Sequence, residues 1–290
     1  MASPADLRLR EAVEAGDAKA VRAAIGDGAD PNAEIETMSF DGSVFRRPLI
    51  IYAVRSVDLY PDVVIALLEG GADAEAVLPV DIRLTKAHLS LLLLTFPRMH
   101  MELDPSKMEG MMRAFSAIID HGADVNWPND MNEEGGPPVL ALYPIHEAAM
   151  ISLPEYAIRA CALLLDRGAD VNQRTFPDSD MTPLMFACLP WHYLGDRDRS
   201  QLVRFLVDRG ADVNAVAEGG YSVLHVAAEI ASSPTIRTLL ELGARTDVRD
   251  NQGLTPFGSA LMSEHSDLES ALVIYQHEKA LREKRGQTGD

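Results

Sequence analysis

The chain is 290 residues long, 47% apolar and 24% charged, with a formal net charge of −18. That length and composition can bury a core and are unlike those of a disordered chain. Residues 1–140 hold 23 acids against 12 bases and residues 141–290 hold 21 against 14, so both halves repel phosphate backbones and anionic lipid and attract basic protein surfaces. Met1-Ala2-Ser3-Pro4 runs straight into a charged stretch, and no later segment approaches the roughly 18 uncharged residues of a membrane helix. The expectation is a cytoplasmic protein. Its two cysteines, Cys161 and Cys188, are too few for a disulfide framework or a zinc site.

In chain order, Asp6 to Ile25 reads as an abbreviated helical unit that stops at Gly28-Ala29-Asp30. A long segment, 32–46, follows; its Asp41-Gly42 between β-formers predicts a hairpin. Arg47-Pro48-Leu49 then opens a helix pair that closes at Gly71-Ala72-Asp73. A third unit is expected to begin its first helix near Thr85, with His88 and Ser90 in the expected columns, and closes at Gly122-Ala123-Asp124. After a second long segment, 126–142, come Tyr143-Pro144-Ile145-His146, Thr182-Pro183-Leu184, Ser222-Val223-Leu224-His225 and Thr255-Pro256-Phe257. The first three of these units close at Gly168, Gly210 and Gly243, and Leu268 to Arg285 reads as the last helix, its polar end forming a cap.

One pattern explains these stops. Seven, four and three residues before the six glycines stand Val21/Ala24/Ile25, Val64/Leu67/Leu68, Phe115/Ile118/Ile119, Cys161/Leu164/Leu165, Val203/Leu206/Val207 and Ile236/Leu239/Leu240, all apolar. That spacing lies on one helical face, and a glycine just past it is the residue that most readily adopts a left-handed stop. Thr or Ser before proline marks a helix start, since proline at the first position loses only an amide with no partner inside the helix.

With T-P-L-H-x-A-A and G-A-D-V-N both in place, the chain resembles the ankyrin repeat family, whose period of 33 separates Gly210 from Gly243. The resemblance implies an all-α ankyrin-repeat solenoid of about six to seven helix pairs with β-hairpin or loop fingers. It also implies a single domain over 1–290, with units at about 5–30, 46–74, 85–125, 142–172, 181–214, 221–246 and a C-terminal cap at 254–285. The other glycine spacings, 43, 51, 46 and 42, show that most units carry inserts, at about 96–108, 150–156 and 189–199 as well as in the two long fingers.

No catalytic constellation is complete. His146-Glu147 begins an H-E-x-x-H zinc motif, but Met150 stands where the second histidine belongs. The resemblance gives that histidine column a structural hydrogen bond to neighbouring turn backbone instead. Cys161 and Cys188 share their columns with apolar residues and read as core. Asp130, Asn132 and Glu134 imitate a calcium loop whose twelfth position is Ala141 rather than glutamate. The expectation is a non-enzyme with no cofactor, no metal and no small-molecule substrate.

What remains is a binding surface. In the ankyrin family the fingers and first helices line a concave face that binds proteins. Here the fingers carry Phe40, Phe45, Trp127, Phe176 and Tyr221, residue types that bury much area at little entropic cost. Among them stand Asp130, Glu133, Glu134, Asp178, Asp180 and Glu218. This aromatic and acidic face points to a basic protein partner and not to nucleic acid or membrane. The insert Leu189 to Arg199 adds Trp191 and Tyr193 followed by alternating charges, either as a second anchor or as a packing device. The alternative role is an immunity or antitoxin-type inhibitor that covers the basic cleft of a toxin or nucleic-acid enzyme.

Overall fold

The computed structural model describes residues 3–38, 44–55, 60–82, 85–90, 95, 104–132, 141–175, 179–189, 198–263 and 268–288. The chain divides into two compact units, Met1–Pro138 and Val139–Asp290.

The first unit opens with α1 (Pro4–Glu14) and α2 (Ala18–Gly26). Ser3 caps α1 by accepting from the Asp6 amide at 3.1 Å while Asp6 accepts from the Ser3 amide at 2.9 Å, and Asp17 caps α2. Strands β1 (Glu34–Met38) and β2 (Val44–Pro48) pair antiparallel from Glu34↔Pro48 to Met38↔Val44, the hairpin expected for the first long finger. Helix α3 (Leu49–Arg55) follows directly, then α4 (Pro61–Glu69). Next come β3 (Val77–Ile82), β4 (Thr85–Ser90), the long α5 (Pro105–Asp120) and β5 (Asn129–Asn132). Helices α2, α4 and α5 pack side by side as one row, and α1 and α3 lie against it as a second.

Thr85 does not start a helix. Residues 85–90 are β4, paired with β3 from Val77↔Ser90 to Ile82↔Thr85 and with β5 from Lys86↔Asn132 to His88↔Asp130. The physical reason lies in the neighbours. Val77–Ile82 pairs with this segment along its whole length on one side and Asn129–Asn132 pairs with residues 86–88 on the other, so its backbone groups find partners in a sheet instead of in a helix.

The second unit keeps the two-row plan throughout. First helices α6 (Pro144–Ala149), α8 (Pro183–Cys188), α10 (Val223–Ile230) and α12 (Pro256–Met262) form one row. Second helices α7 (Pro154–Asp166), α9 (Ser200–Asp208), α11 (Ser233–Glu241) and α13 (Leu268–Thr288) form the other. Two of the three predicted apolar columns are the core: Cys161, Leu164, Val203, Leu206, Ile236 and Leu239 have no exposed surface, whereas the third column is only partly buried at Ile25, Leu165 and Val207. Ala148, Ala187 and Ala227 are buried to the same degree, where a larger side chain would hold the first helices apart.

The C-terminal cap has the polar end expected of it, but apolar surface stands beside that end. Its outer helix starts as the sequence requires, but Leu261 and Met262 at the end of α12 are 58% and 74% exposed, and Leu272 and Tyr275 on α13 are about half exposed.

Because Leu164 and Leu206 are fully enclosed, Leu164→Ala and Leu206→Ala should each destabilise the chain by roughly 2–5 kcal/mol, the usual cost of the lost transfer energy plus the cavity. Equilibrium denaturation measures this; unchanged midpoints in both variants would contradict the column assignment.

Candidate functional site

The fingers are positioned by a repeated backbone device. Each column glycine is left-handed, as at Gly168 (φ 92°) and Gly210 (φ 96°), and the amide of the residue after it turns back to the helix: Ala169 to Leu164 O at 3.0 Å, Ala211 to Leu206 O at 2.9 Å. The next aspartate accepts from the backbone amide two residues on, Asp170 from Asn172 and Asp212 from Asn214, at 2.8 and 2.9 Å. The asparagine then crosses to the following repeat. Asn172 donates from Nδ2 to Gly210 O at 3.0 Å and accepts at Oδ1 from the Asp212 amide at 2.8 Å. Asn214 does the same with Gly243 O and the Arg245 amide, at 3.2 and 2.9 Å. In the first unit Asn32 holds Gly71 O and the Asp73 amide, at 3.2 and 2.8 Å.

Histidine ties the first helices to the fingers. His146 Nδ1 accepts from the Tyr143 amide at 3.1 Å and Nε2 donates to Gln173 O at 3.0 Å; His225 repeats this with Ser222 and Leu254 O at 3.2 and 3.1 Å. This is the structural hydrogen bond that the resemblance implies. It needs a neutral imidazole, and burial lowers the His146 pKa to about 4. Burial also raises Glu147 to about 7 and both Cys161 and Cys188 to about 12, so the thiols are unreactive core side chains.

Successive fingers meet by backbone contact. The Glu218 amide donates to Ser179 O at 3.3 Å and the Asn251 amide to Gly219 O at 2.8 Å. A Cβ at Gly220 (φ 80°) would stand 3.0 Å from Asp250 Cα, so only glycine permits this approach. The sequence candidates distribute as follows. Asp180 and Glu218 lie exposed on these two adjoining fingers; Asp180 pairs with Arg174, whose Nη1 donates to the Asp180 carboxylate, the Asp180 carbonyl and Val216 O, each at 2.8 Å. Tyr221 is turned inward, its hydroxyl donating to Glu229 at 3.0 Å and its ring 5.5 Å from that of His225. In the first unit Trp127 is 42% exposed and borders a small pocket with Ala74, Glu75, Ala123 and Asp124. Phe45 sits opposite Thr37 on β2, and Asp130 opposite His88 on β5. Phe40, Glu133, Glu134, Phe176, Asp178, Trp191 and Tyr193 lie outside the described residues. Among the described residues no group of three or more His, Cys, Asp or Glu side chains could hold a metal ion.

Two arginines escaped the sequence reading. Arg174, in the finger, is adjacent to Gln173 and has no motif to mark it. Arg199 closes a charge run expected at the surface, yet it is buried: Nη2 donates to Ala149 O at 2.7 Å and Nη1 to Ile151 O and Ser152 O at 2.8 and 3.2 Å, while its amide donates to Thr235 Oγ1 at 2.9 Å. A cation thus covers the carbonyl end of α6 and joins three successive repeats.

The comparisons with known proteins agree with this geometry. The family model for ankyrin repeats, in three copies, matches residues 191–282. A putative ankyrin repeat protein of Acanthamoeba polyphaga mimivirus is 36% identical over 91 residues, and the mouse protein fem-1 homolog A-like is 35% identical over 95; the matches cover 31% and 33% of this chain but only 12% and 13% of those proteins. The crystal structure of the human ASB11 ankyrin repeat domain aligns over 94% of this chain and 97% of its own, with a TM-score of 0.59 at 20% identity. The ankyrin repeat domain of Bcl-3, of the IkappaB family, aligns over 93% and 97%, with a TM-score of 0.56 at 21% identity. The class is therefore a stack of helix pairs with projecting fingers. Residues 191–282 carry ankyrin repeats and the fold is that of an ankyrin repeat domain; ankyrin-repeat proteins generally mediate protein–protein interaction.

Two predictions follow from the buried polar groups. Arg199→Ala should destabilise by roughly 3 kcal/mol or more, since each buried acceptor left unmet costs about 1–3 kcal/mol, and Arg199→Lys should not restore the loss because an ammonium lacks the planar fork; full rescue by lysine would refute the capping role. Glu147 has an ordinary pKa of 4.5 and a folded value of about 7, so the folded state holds its proton more tightly and loses relative stability as pH rises from 4.5 to 7. Glu147→Gln, which has nothing to titrate, should match wild type near pH 4.5 and exceed it above pH 7 by up to about 3 kcal/mol. Urea melts across that range decide it, and a constant difference would rule out the buried, protonated carboxyl. His146 has the opposite sign, losing stability as pH falls from 6.5 toward 4, and cancels in the comparison.

Proposed function

We propose that this chain is a non-enzymatic interaction module that binds a basic protein through its fingers and first helices. The observation that carries the reading is the exposed Glu218, which has no cationic partner among the described residues and stands on a finger fastened to the preceding one through Ser179 O, beside an Asp180 whose charge Arg174 offsets, in a chain of charge −18. Acids held on a fixed frame give a directed field without the entropic cost of ordering loops on binding. Trp127 adds an anchor in the first unit, since it is exposed and such a side chain is a common interface hot spot. Ankyrin-repeat relatives include human SH3 and multiple ankyrin repeat domains protein 2 and mouse Rabankyrin-5, 32% and 29% identical over 101 and 110 residues, which supports an interaction role and leaves the partner to be found by its chemistry. Two free, buried thiols suit a reducing cytoplasm, and no helix among the described residues is long and apolar enough to cross a membrane.

Affinity capture followed by mass spectrometry should return a basic protein. Its association rate should fall as ionic strength rises past physiological, where the Debye length is about 8 Å, and Trp127→Ala should weaken binding with no loss of stability. A rate independent of salt, or tight binding of an acidic partner to the fingers, would defeat the electrostatic reading. A captured toxin or nuclease whose activity is blocked would establish the inhibitory role in place of simple recruitment.

A further inference from the structure

The last helix lacks the stop that ends the others. Setting the buried Ala271 and Ile274 in register with Ile236 and Leu239 brings Glu278 into the column held by Gly243, and α13 runs on to Thr288. With a side chain in that column the helix has no left-handed exit, so its second half overhangs the turn at 243–249. A groove of about 790 Å³ lies between them. Leu240, Phe257 and Leu281 give it an apolar lining, and Arg245, Arg249 and Arg282 surround it.

The charges in this groove do not cancel. Asp247 is paired with Arg245 through two contacts at 3.0 and 3.1 Å, and Glu278 with Arg282 at 3.3 Å. Arg249 donates from Nη1 to Gly253 O at 2.6 Å and meets no carboxylate among the described residues. One positive charge is left over. Arg282 keeps 78% of its side chain exposed despite its pairing, so its guanidinium remains open to a carboxylate from outside.

We propose that this groove receives an acidic peptide segment of a protein partner, with a carboxylate on Arg249 and Arg282 and an apolar side chain against Phe257 and Leu281. A guanidinium fork matches a carboxylate in shape as well as charge. Nucleic acid is the poorer occupant, because a run of phosphates would meet the field of a chain of −18, whereas a short peptide brings only the charges the groove can pair. The proposal does not depend on the reading of the fingers, since the sign of the charge is reversed.

The test uses the full chain and a short fluorescein-labelled peptide of glutamate and leucine, with a lysine and leucine peptide and a single-stranded oligonucleotide as comparisons. Saturable anisotropy binding of the acidic peptide, weakened about tenfold or more in Arg249→Ala/Arg282→Ala by loss of both charge-assisted contacts, is the expected result. Leu281→Glu, at a partly exposed position, should abolish binding while keeping the melting temperature, and it serves where the double variant fails to fold. No saturable binding by wild type, equal binding in these variants, a preference for the lysine peptide, or displacement of the acidic peptide by the oligonucleotide would each overturn the proposal.

Discussion

The structure depends on one recurring hydrogen-bonded bridge, the carboxamide by which Asn32, Asn172 and Asn214 each span from one repeat to the next. A helix pair stacked on its neighbour by apolar contact alone could slide or tilt, because dispersion and area burial have little direction. The carboxamide removes that freedom: its nitrogen needs the next glycine carbonyl and its oxygen needs the amide two residues beyond, as Asn172 and Asn214 show. Aspartate could satisfy only the second bond. The start of the chain illustrates this limit, for Asp6 takes the asparagine's place and accepts from the Asp30 amide at 3.0 Å, with nothing to donate. That bond, aided by Ser3, holds the Asp6 carboxyl below its ordinary pKa.

The same view explains what the net charge does and does not mean. Asp30, Asp73, Asp124, Asp170 and Asp212 are spent on turn amides. A further set is paired along the second helices, as in Arg22–Glu69, Asp62–Arg113 and Asp166–Arg209, with Arg204–Glu241 continuing it. These pairs are half exposed and contribute little individually, but they compensate acids on that side. Asp180 is also compensated, by Arg174, whereas Glu218 has no such partner among the described residues, so the finger field is weaker than the sequence count implies.

Periodic features were legible in the sequence because each was stated several times. Six glycines with three apolar columns apiece fix helix ends regardless of what lies between them, and the Asp41-Gly42 signal lies between strands that do pair. Single features were not legible. Thr85–Ser90 satisfied the helix template only at His88 and Ser90, with Lys86 and Ala87 against it, and the pairing that overrode the template comes from the neighbouring Val77–Ile82 and from the distant Asn129–Asn132. Arg199 gave no signal, since an arginine in a charge run reads as solvated and only tertiary structure supplies the carbonyls it meets. The apolar surface of the last unit was hidden for the converse reason. Leu261 occupies the column of Ala149, Cys188 and Ala228, which are buried in internal repeats, and only its place at the end of the row exposes it.

The concentration of buried polar groups around α6 connects these points to binding. A helix of six residues cannot persist on its own hydrogen bonds. Here one end is held by His146, through the finger carbonyl of Gln173, and the other by Arg199, through the carbonyls of Ala149, Ile151 and Ser152. Apolar packing of the same volume would hold the helix in the core but would not specify where the finger leaves it, because a hydrophobic contact tolerates rotation that a bonded imidazole does not. Residues that contact no partner therefore determine the height and direction at which the fingers present theirs. The cost of burying His146 as a neutral ring and Glu147 as a protonated acid is borne within the repeat whose finger leads to Asp180, where a fixed surface is needed and a merely stable one would not suffice.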